Sequence, residues 1–388
     1  MKILHICISN TYIDNWGYQE NLLSRYLVKE GIENYIIGSD RHFPPYFRQE
    51  GIAEIQKKGK YYFADDSQVT RIRTTRLSLL FIIPHGLNDE IEKIKPDAIL
   101  HHNVNCTSLI IAARYAKKHK IPLFVDNHVD ELNMTPNKVW AFIIHKVLIR
   151  FTCHKYLETI SQFYGVTRFR CDFLKKYYKL PESKVSFLPI GADVDLAKTV
   201  SSKEELLSKY GYNKGDFLIA SGGKMDQRKG TDRLIQAVDI IRVQHPEVKL
   251  ALFGKILGEV TQQLAECSPA VRQFGWCDRM TSLELLKMAD VVCWPIHHTT
   301  LCEDTIAVGT PLIIRKTRTT EHLVEGNGIF LKDGTTEELV NVISEFITMQ
   351  PDQRRMMVEA SERKLKELDY HTIANRFIAD IERYRHNG

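Results

Sequence analysis

Short apolar runs alternate with segments of helical period along most of this chain, and that alternation restricts its fold more than any other feature. The run ILHICIS leads into GYQENLLSRYLVKEG, whose Leu22, Leu23, Tyr26 and Leu27 share one helical face, and then into NYIIGSD. Strand-length apolar runs separated by amphipathic helices predict right-handed βαβ units, because parallel neighbours need a crossover and strand twist favours one hand. After residue 214 the series starts afresh with FLIA, VKLALFGK, VRQFGW, DVVCWP, TPLIIR and GIFL, with helical segments between them. Two such series over 388 residues outgrow one hydrophobic core. The expected fold class is therefore α/β, as two doubly wound halves, each built on a parallel sheet.

Between FLIA and the amphipathic helix TDRLIQAVDIIRV lies Ser221–Gly230, SGGKMDQRKG. Leu234, Ile235, Val238 and Ile241 give that helix one apolar face, and Thr231 can cap its start. The loop thus occupies the carboxyl end of a strand, where open α/β sheets bind ligands. Its glycines, Gly223 among them, permit close backbone approach, and Lys224 and Lys229 place two ammonium groups beside a helix N-terminus. Such a combination suits a diphosphate; a pair of solvated loop lysines is the plainer alternative. The segment matches neither the Walker loop nor the dinucleotide fingerprint. GKMDQRKG instead resembles the G-R-L-x-x-x-K-G segment of the retaining glycosyltransferases of family 4, of group 1 type, with Lys224 where that family usually has Arg and Lys229 matching its Lys. The resemblance implies a GT-B fold: two Rossmann-like, doubly wound parallel-sheet domains facing a cleft. It also implies that Lys224 and Lys229 hold the diphosphate of a nucleotide-sugar.

Further segments extend the resemblance over nearly the whole chain. WGYQE is similar to the family's G-G-x-x-x-E loop, with Trp16 in place of the first glycine and Gly17 left to approach phosphates or acceptor. KPDAILHHNVN resembles P-D-V-I-H-x-H-N, with His102 as the second histidine. IPLFVDNHVDEL resembles I-P-x-V-x-T-x-H-D, which makes His128 the residue that in the family contacts the transferring sugar, with Asp126 and Asn127 as candidate orienters. PIGAD looks like P-N-G-V-D at the interdomain crossover, so the Asp193-Val194-Asp195 pair is read as structural rather than as a metal site. The implied domains are 1–196, 197–369, and a helix 370–388 that crosses back to the first.

The family's E-x7-E is incomplete. Aligned on AVGTP, Asp304 takes the place of the second Glu, which holds the ribose, and the first Glu has no counterpart. Thr300 and Glu303 fit a capping box, which assigns Glu303 a structural role. Thr299 and Thr300 are placed to meet phosphate or sugar oxygens, while Gly254, Gly275 and Trp276 lie at strand ends where the base should sit; Trp276 either stacks on it or is core.

Composition narrows the setting. The longest apolar run, LSLLFIIP, is too short for a membrane span, and MKILHICIS reads as a first strand rather than a signal peptide. Eight cysteines without a C-x-x-C pair suggest reduced core thiols and a cytoplasmic protein. Residues 1–200 hold 28 Lys and Arg against 21 Asp and Glu, and ten of those cations lie between Lys138 and Lys184 among aromatic residues. That stretch is either a solvated basic face or one that holds an anionic membrane surface or lipid acceptor at the inner face of the membrane. Nucleic acid is not expected, since no reader motif accompanies the charge. The expected activity is retaining transfer of a hexosyl group from a UDP or GDP sugar to a saccharide or lipid-linked acceptor, as in polysaccharide or glycolipid biosynthesis. No cofactor is expected, and no metal if two lysines neutralise the diphosphate. The alternatives are a non-catalytic partner subunit and a nucleotide-sugar epimerase.

Overall fold

Strand β1 (Lys2–Cys7) has β2 (Glu33–Ser39) on one side and β7 (Ala98–His101) on the other, so the chain reverses its direction of winding there. The computed structural model describes residues 1–9, 12–41, 58–77, 81–104, 107–134 and 137–386. The first series builds an eight-stranded sheet in the order β10-β9-β8-β7-β1-β2-β4-β3. It is completed by β3 (Tyr61–Ala64), β4 (Ser67–Ile72), β8 (Leu123–Asn127), β9 (Ile160–Gly165) and β10 (Val185–Phe187), and only β3 runs antiparallel. A separate two-stranded ribbon pairs β5 (Thr74–Arg76) with β6 (Ile82–Pro84).

The stretch Arg41–Arg76 shows no clear period in the sequence, and its part from 42 to 57 lies outside the described residues. Most of the rest forms the β3–β4 hairpin, turned by Asp65 and Asp66, both at positive φ (50° and 57°), and its end is β5. Two left-handed residues match the twist of the strands they join. The Asp65 carboxylate fastens this turn to the core by accepting from Tyr12, Asn21 and Arg25.

Alternation along the strands sends Leu4, Ile6, Ile99, Leu123 and Val125 into one core, and Ile3, Ala98, Leu100 and Phe124 into another on the opposite face. The second core is closed by helix Gln19–Lys29, through Leu22, Leu23, Tyr26 and Leu27, and by the last helix, Tyr370–His386. Ile373, Ala374, Phe377 and Ile381 of that helix are buried there, and His371 Nδ1 lies 2.8 Å from Glu30 Oε1. The contacts accordingly divide the chain into Met1–Ile190 with Tyr370–Gly388, and Gly191–Asp369. Gly191 to Leu196, assigned from the sequence to the first domain, fall in the second unit. Asp193 there caps helix Val194–Lys198 by accepting from Leu196 N–H.

The second unit is a six-stranded, wholly parallel sheet ordered β13-β12-β11-β14-β15-β16. Its strands are β11 (Phe217–Met225), β12 (Val248–Ile256), β13 (Val271–Gly275), β14 (Val291–Trp294), β15 (Leu312–Arg315) and β16 (Gly328–Leu331). Segment 197–214 contains the helix Lys203–Tyr210, started by a reciprocal cap between Ser202 and Glu205. At Gly222 a Cβ would stand 2.4 Å from the Phe253 ring. Gly222→Ala is therefore expected to destabilise this unit by about 1–3 kcal/mol, seen as a lowered urea midpoint with an unchanged slope.

Candidate functional site

Strand β11 runs further than its apolar half predicts. SGGKM continues the strand, in register with β12 as far as Met225 opposite Ile256. The loop is only Asp226–Gly230, with a 3-10 turn at Gln227–Lys229 whose last N–H donates to Asp226 Oδ1 at 3.1 Å. Lys224 therefore stands on the strand and Lys229 on the turn. Thr231 does not cap the following helix. It is buried as the first helical residue, and Gly230 is the N-cap at φ 77°. Glycine is required there twice over, because a Cβ would be left-handed and would lie 2.9 Å from Pro295 and Ile296.

β11 is flanked by β12 and β14, so its carboxyl end is the topological switch point of this sheet. Three glycines bring backbones close together at that point. A Cβ on Gly254 (φ 106°) would sit 2.2 Å from the Gly223 carbonyl oxygen, and one on Gly223 (φ 99°) would sit 3.7 Å from Thr299 Oγ1. The Gly222 carbonyl accepts from Trp294 Nε1 at 3.0 Å. Lys229 is partly buried, and burial holds its ammonium below the ordinary lysine range against the opposing pull of Cys302 and Asp226. Its carbonyl accepts from Ile296 N–H at 3.3 Å. His297 nearby is lowered by burial and then by the Lys229 charge. Gly223, Gly254, Lys229, His297 and Thr299 thus converge on one small region, with Lys224 two residues past Gly222.

The acidic helix departs from expectation. Thr300 precedes helix Leu301–Ala307 in right-handed helical conformation (φ −63°, ψ −4°) and makes no cap bond, because a capping Thr needs an extended backbone. The Thr300–Glu303 capping box is thereby corrected, and Glu303 is simply buried. Asp304 is buried too, and both its oxygens accept from Arg279, at 2.9 and 3.1 Å. Arg279 also lies 3.6 Å from Asp193, which gives that residue an electrostatic role besides its cap. Burial raises the Asp304 carboxyl, Arg279 opposes the rise, and Asp193 adds to it. No local motif marks Arg279 as the partner of Asp304. Gly275 (φ 65°) and Trp276 end the outermost strand, β13, and Trp276 is 55% exposed, which rules out the core alternative.

In the first unit the switch point lies between β1 and β7. His5, His102 and Asp126 have the parity of Ile3, Leu100 and Phe124, so alternation turns all three toward one face. His5 Nδ1 is 3.0 Å from His102 Nε2, and His102 Nδ1 is 2.5 Å from Asp126 Oδ2. Asp126 Oδ1 accepts from Asn103 N–H at 2.8 Å, and His128 Nε2 stands 3.5 Å from Oδ2. Burial disfavours the His102 imidazolium, but the adjoining carboxylate outweighs it and the net shift is upward. Burial would raise Asp126, yet His102 and His128 bring it below the usual carboxylate range. His5 is lowered by burial and then by the His102 charge. The centre is thus a buried imidazolium–carboxylate pair with a neutral histidine behind it and His128 before it.

His102, Asp126 and His128 place their donor atoms within 4.8 Å of one another. Ligands across a tetrahedral ion stand about 3.3 Å apart, given metal–ligand bonds of about 2.0 Å. The 2.5 Å contact between His102 and Asp126 is that of a hydrogen bond. Asn127 does not orient the His128 ring; it braces the loop by accepting from Val129 N–H and donating to the Val129 carbonyl. Gly17 lies apart from the cluster's residues in sequence, one position before Tyr18, the N-cap of helix Gln19–Lys29.

Residues 202–364 match the family model described as Glycosyl transferases group 1. No curated protein matches the sequence. Among solved structures, the chain is similar to a glycosyltransferase from Rickettsia africae, with 14% identity, a TM-score of 0.73, and 100% and 99% of the two chains covered. A sucrose-phosphate synthase from Thermosynechococcus elongatus gives 14% identity and 0.73 over 100% of each chain. HepE of Anabaena, solved with UDP and glucose, gives 16% and 0.69 over 99% and 100%. At such identities the likeness establishes the GT-B fold.

Proposed function

From the premise that residues 202–364 form a glycosyl transferases group 1 domain, we propose that the protein is a retaining glycosyltransferase acting on a nucleoside diphosphate sugar and a saccharide or lipid-linked acceptor, in polysaccharide or glycolipid biosynthesis. The observation that carries the reading is the convergence of Gly223, Lys229 and Thr299 at the carboxyl end of β11, where a Cβ on Gly223 would meet nothing nearer than Thr299 Oγ1 at 3.7 Å, which leaves the strand end open to phosphate oxygens. HepE, which shares the fold, was solved with UDP and glucose, and UDP is the first nucleotide to test.

In this reading the bond between the anomeric carbon and the diphosphate breaks, and its electron pair stays on the diphosphate. Lys224 and Lys229 stabilise the charge that develops there. The acceptor oxygen bonds to the anomeric carbon on the face the leaving group vacates, and its proton passes to a diphosphate oxygen. His128 contacts the transferring sugar. Asp304 enters the nucleoside role only through its pair with Arg279, so the ribose would meet a carboxylate that already has a partner.

Calorimetric titration with UDP and GDP, without added metal, tests the donor site. One of the two is expected to bind at micromolar Kd, and silence with both would favour a non-catalytic subunit. NMR of the first-formed glycoside then reads the anomeric configuration: inversion would refute the retaining mechanism, and turnover of the donor without an acceptor product would identify an epimerase.

A further inference from the structure

The helical stretch Lys138–Lys155 of the first unit is fastened to the fold along a single line of buried residues four apart, Ala141, His145, Ile149 and Cys153. Its middle turns, Phe142–Ile149, are π-helical, and the wider turn keeps residues at that spacing close to one line. Ile144 also packs against the core, but much of the remaining circumference is apolar and left to solvent: Val139, Trp140, Phe142, Val147, Leu148 and Phe151 are all exposed, Trp140 by 57% and Phe151 by 67%. Exposed apolar side chains grouped in this way mark an interaction surface.

The charge around them is of one sign. No acidic residue occurs from Lys138 to Leu157, whereas Lys138, Lys146, Arg150 and Lys155 do. Among the described residues none of these four, nor Arg114 beside them, makes an ion pair with a carboxylate. A cavity of about 280 Å³ opens against the same helix, walled by Val104, Ile110, Ile144 and Leu148, with Arg114 and Lys155 also lining it. Its walls are mostly apolar, which suits a hydrocarbon chain better than a nucleotide-sugar with its charged diphosphate.

We propose that this face docks on an anionic phospholipid bilayer, with one acyl chain entering the cavity and Arg114 and Lys155 meeting the headgroup phosphate. An apolar ridge bordered by cations is the pattern of a helix lying in the membrane interface. A protein partner is disfavoured by the same pattern, because lysine is depleted in protein–protein interface cores. The proposal is independent of the donor reading.

Flotation with phosphatidylcholine vesicles, with and without phosphatidylglycerol, tests it on the whole protein. Binding is expected only to the anionic vesicles and is expected to weaken with salt. The triple variant Lys146→Gln, Arg150→Gln, Lys155→Gln should bind about a hundredfold more weakly, at about fivefold per charge, with an unchanged circular dichroism melt. Lipids brominated on the acyl chain should quench tryptophan fluorescence, and Trp140→Phe should remove that quenching. Equal binding to both vesicle types, no binding, or undiminished binding of the triple variant would overturn the proposal. So would a concentration-dependent dimer abolished by Phe151→Ser, which would make the face a contact between copies.

Discussion

Replacing Lys224 and Lys229 together by alanine is expected to lower glycosyl transfer by about three to five orders of magnitude while leaving the fold intact. Removing one preorganised group aimed at developing charge typically costs about 10²–10³ in rate, and two groups acting on one diphosphate lose less than the product of their single effects. Lys229 should carry the larger share. It is partly buried, and a charge in a poorly solvated position acts more strongly on an anion than one in water. The turn around Lys229 is held by its backbone and Asp226 rather than by the Lys229 ammonium. Circular dichroism and the urea midpoint should therefore be unchanged. Turnover in the double variant equal to that of the natural protein would sink the assignment of these lysines. The burial that holds Lys229 down also sets a pH dependence. Donor affinity should decline on the alkaline side as the Lys229 ammonium is lost, at a pH below that of an ordinary lysine, and Lys229→Arg should move that limb upward.

Asp126→Asn is expected to destabilise the first unit by about 3–5 kcal/mol, because it removes one partner of a buried ion pair and leaves His102 with no counter-charge. The sign of the accompanying pH dependence follows from the shifts. His102 is raised in the fold, so its contribution is complete below the unfolded histidine value near 6.5 and is lost as pH rises through its folded value. Asp126 is depressed, so its contribution is present above about 3.8 and is lost as pH falls through its folded value. His5 is depressed, and His101 and His145 are each lowered to about 4, all by burial. Those three are neutral in the fold and take up protons on unfolding below about pH 6.5, at about 1.4 kcal/mol per group for each pH unit. Stability of the natural protein should thus fall steeply from about pH 6.5 toward pH 4. In Asp126→Asn the alkaline loss due to His102 should vanish. Urea unfolding from about pH 4 to the alkaline side of neutrality reads both limbs, and an unchanged alkaline limb in the variant would contradict the ion pair.

The alternation of runs and helices revealed both sheets, since a period of two against 3.6 is a local property. The places where reading the sequence went astray are places where a distant partner decides. SGGKM looks like a loop because of its glycines, but β12 continues alongside as FGKI and keeps it in the sheet, tertiary pairing overriding local propensity. Thr300 has the residues of a cap, yet the chain arriving from Pro295 delivers it already in helical conformation. The placement of Lys224, Lys229 and His128 at or just past strand ends is readable from the sequence because each sits in a short motif that follows an apolar run. That of His5 is not, because a lone histidine inside an apolar strand reads as core. Its parity with His102 and Asp126 acquires meaning only once β1, β7 and β8 are known to lie side by side. Arg279 was hidden for the same reason: nothing local connects it to an aspartate 25 residues further along.

The last helix, Tyr370–His386, supplies a wall of the first unit's core although it is synthesised after the whole of the second. Domains generally fold as units, in order of their emergence from the ribosome. Here the order is inverted. The unit begun first cannot complete the burial of Leu22, Leu23 and Tyr26 until Ile373, Phe377 and Ile381 have been made, whereas Gly191–Asp369 is contiguous and has all its strands at hand earlier. While the chain is being made, the exposed flank of the first sheet stays open for the time needed to translate the second unit.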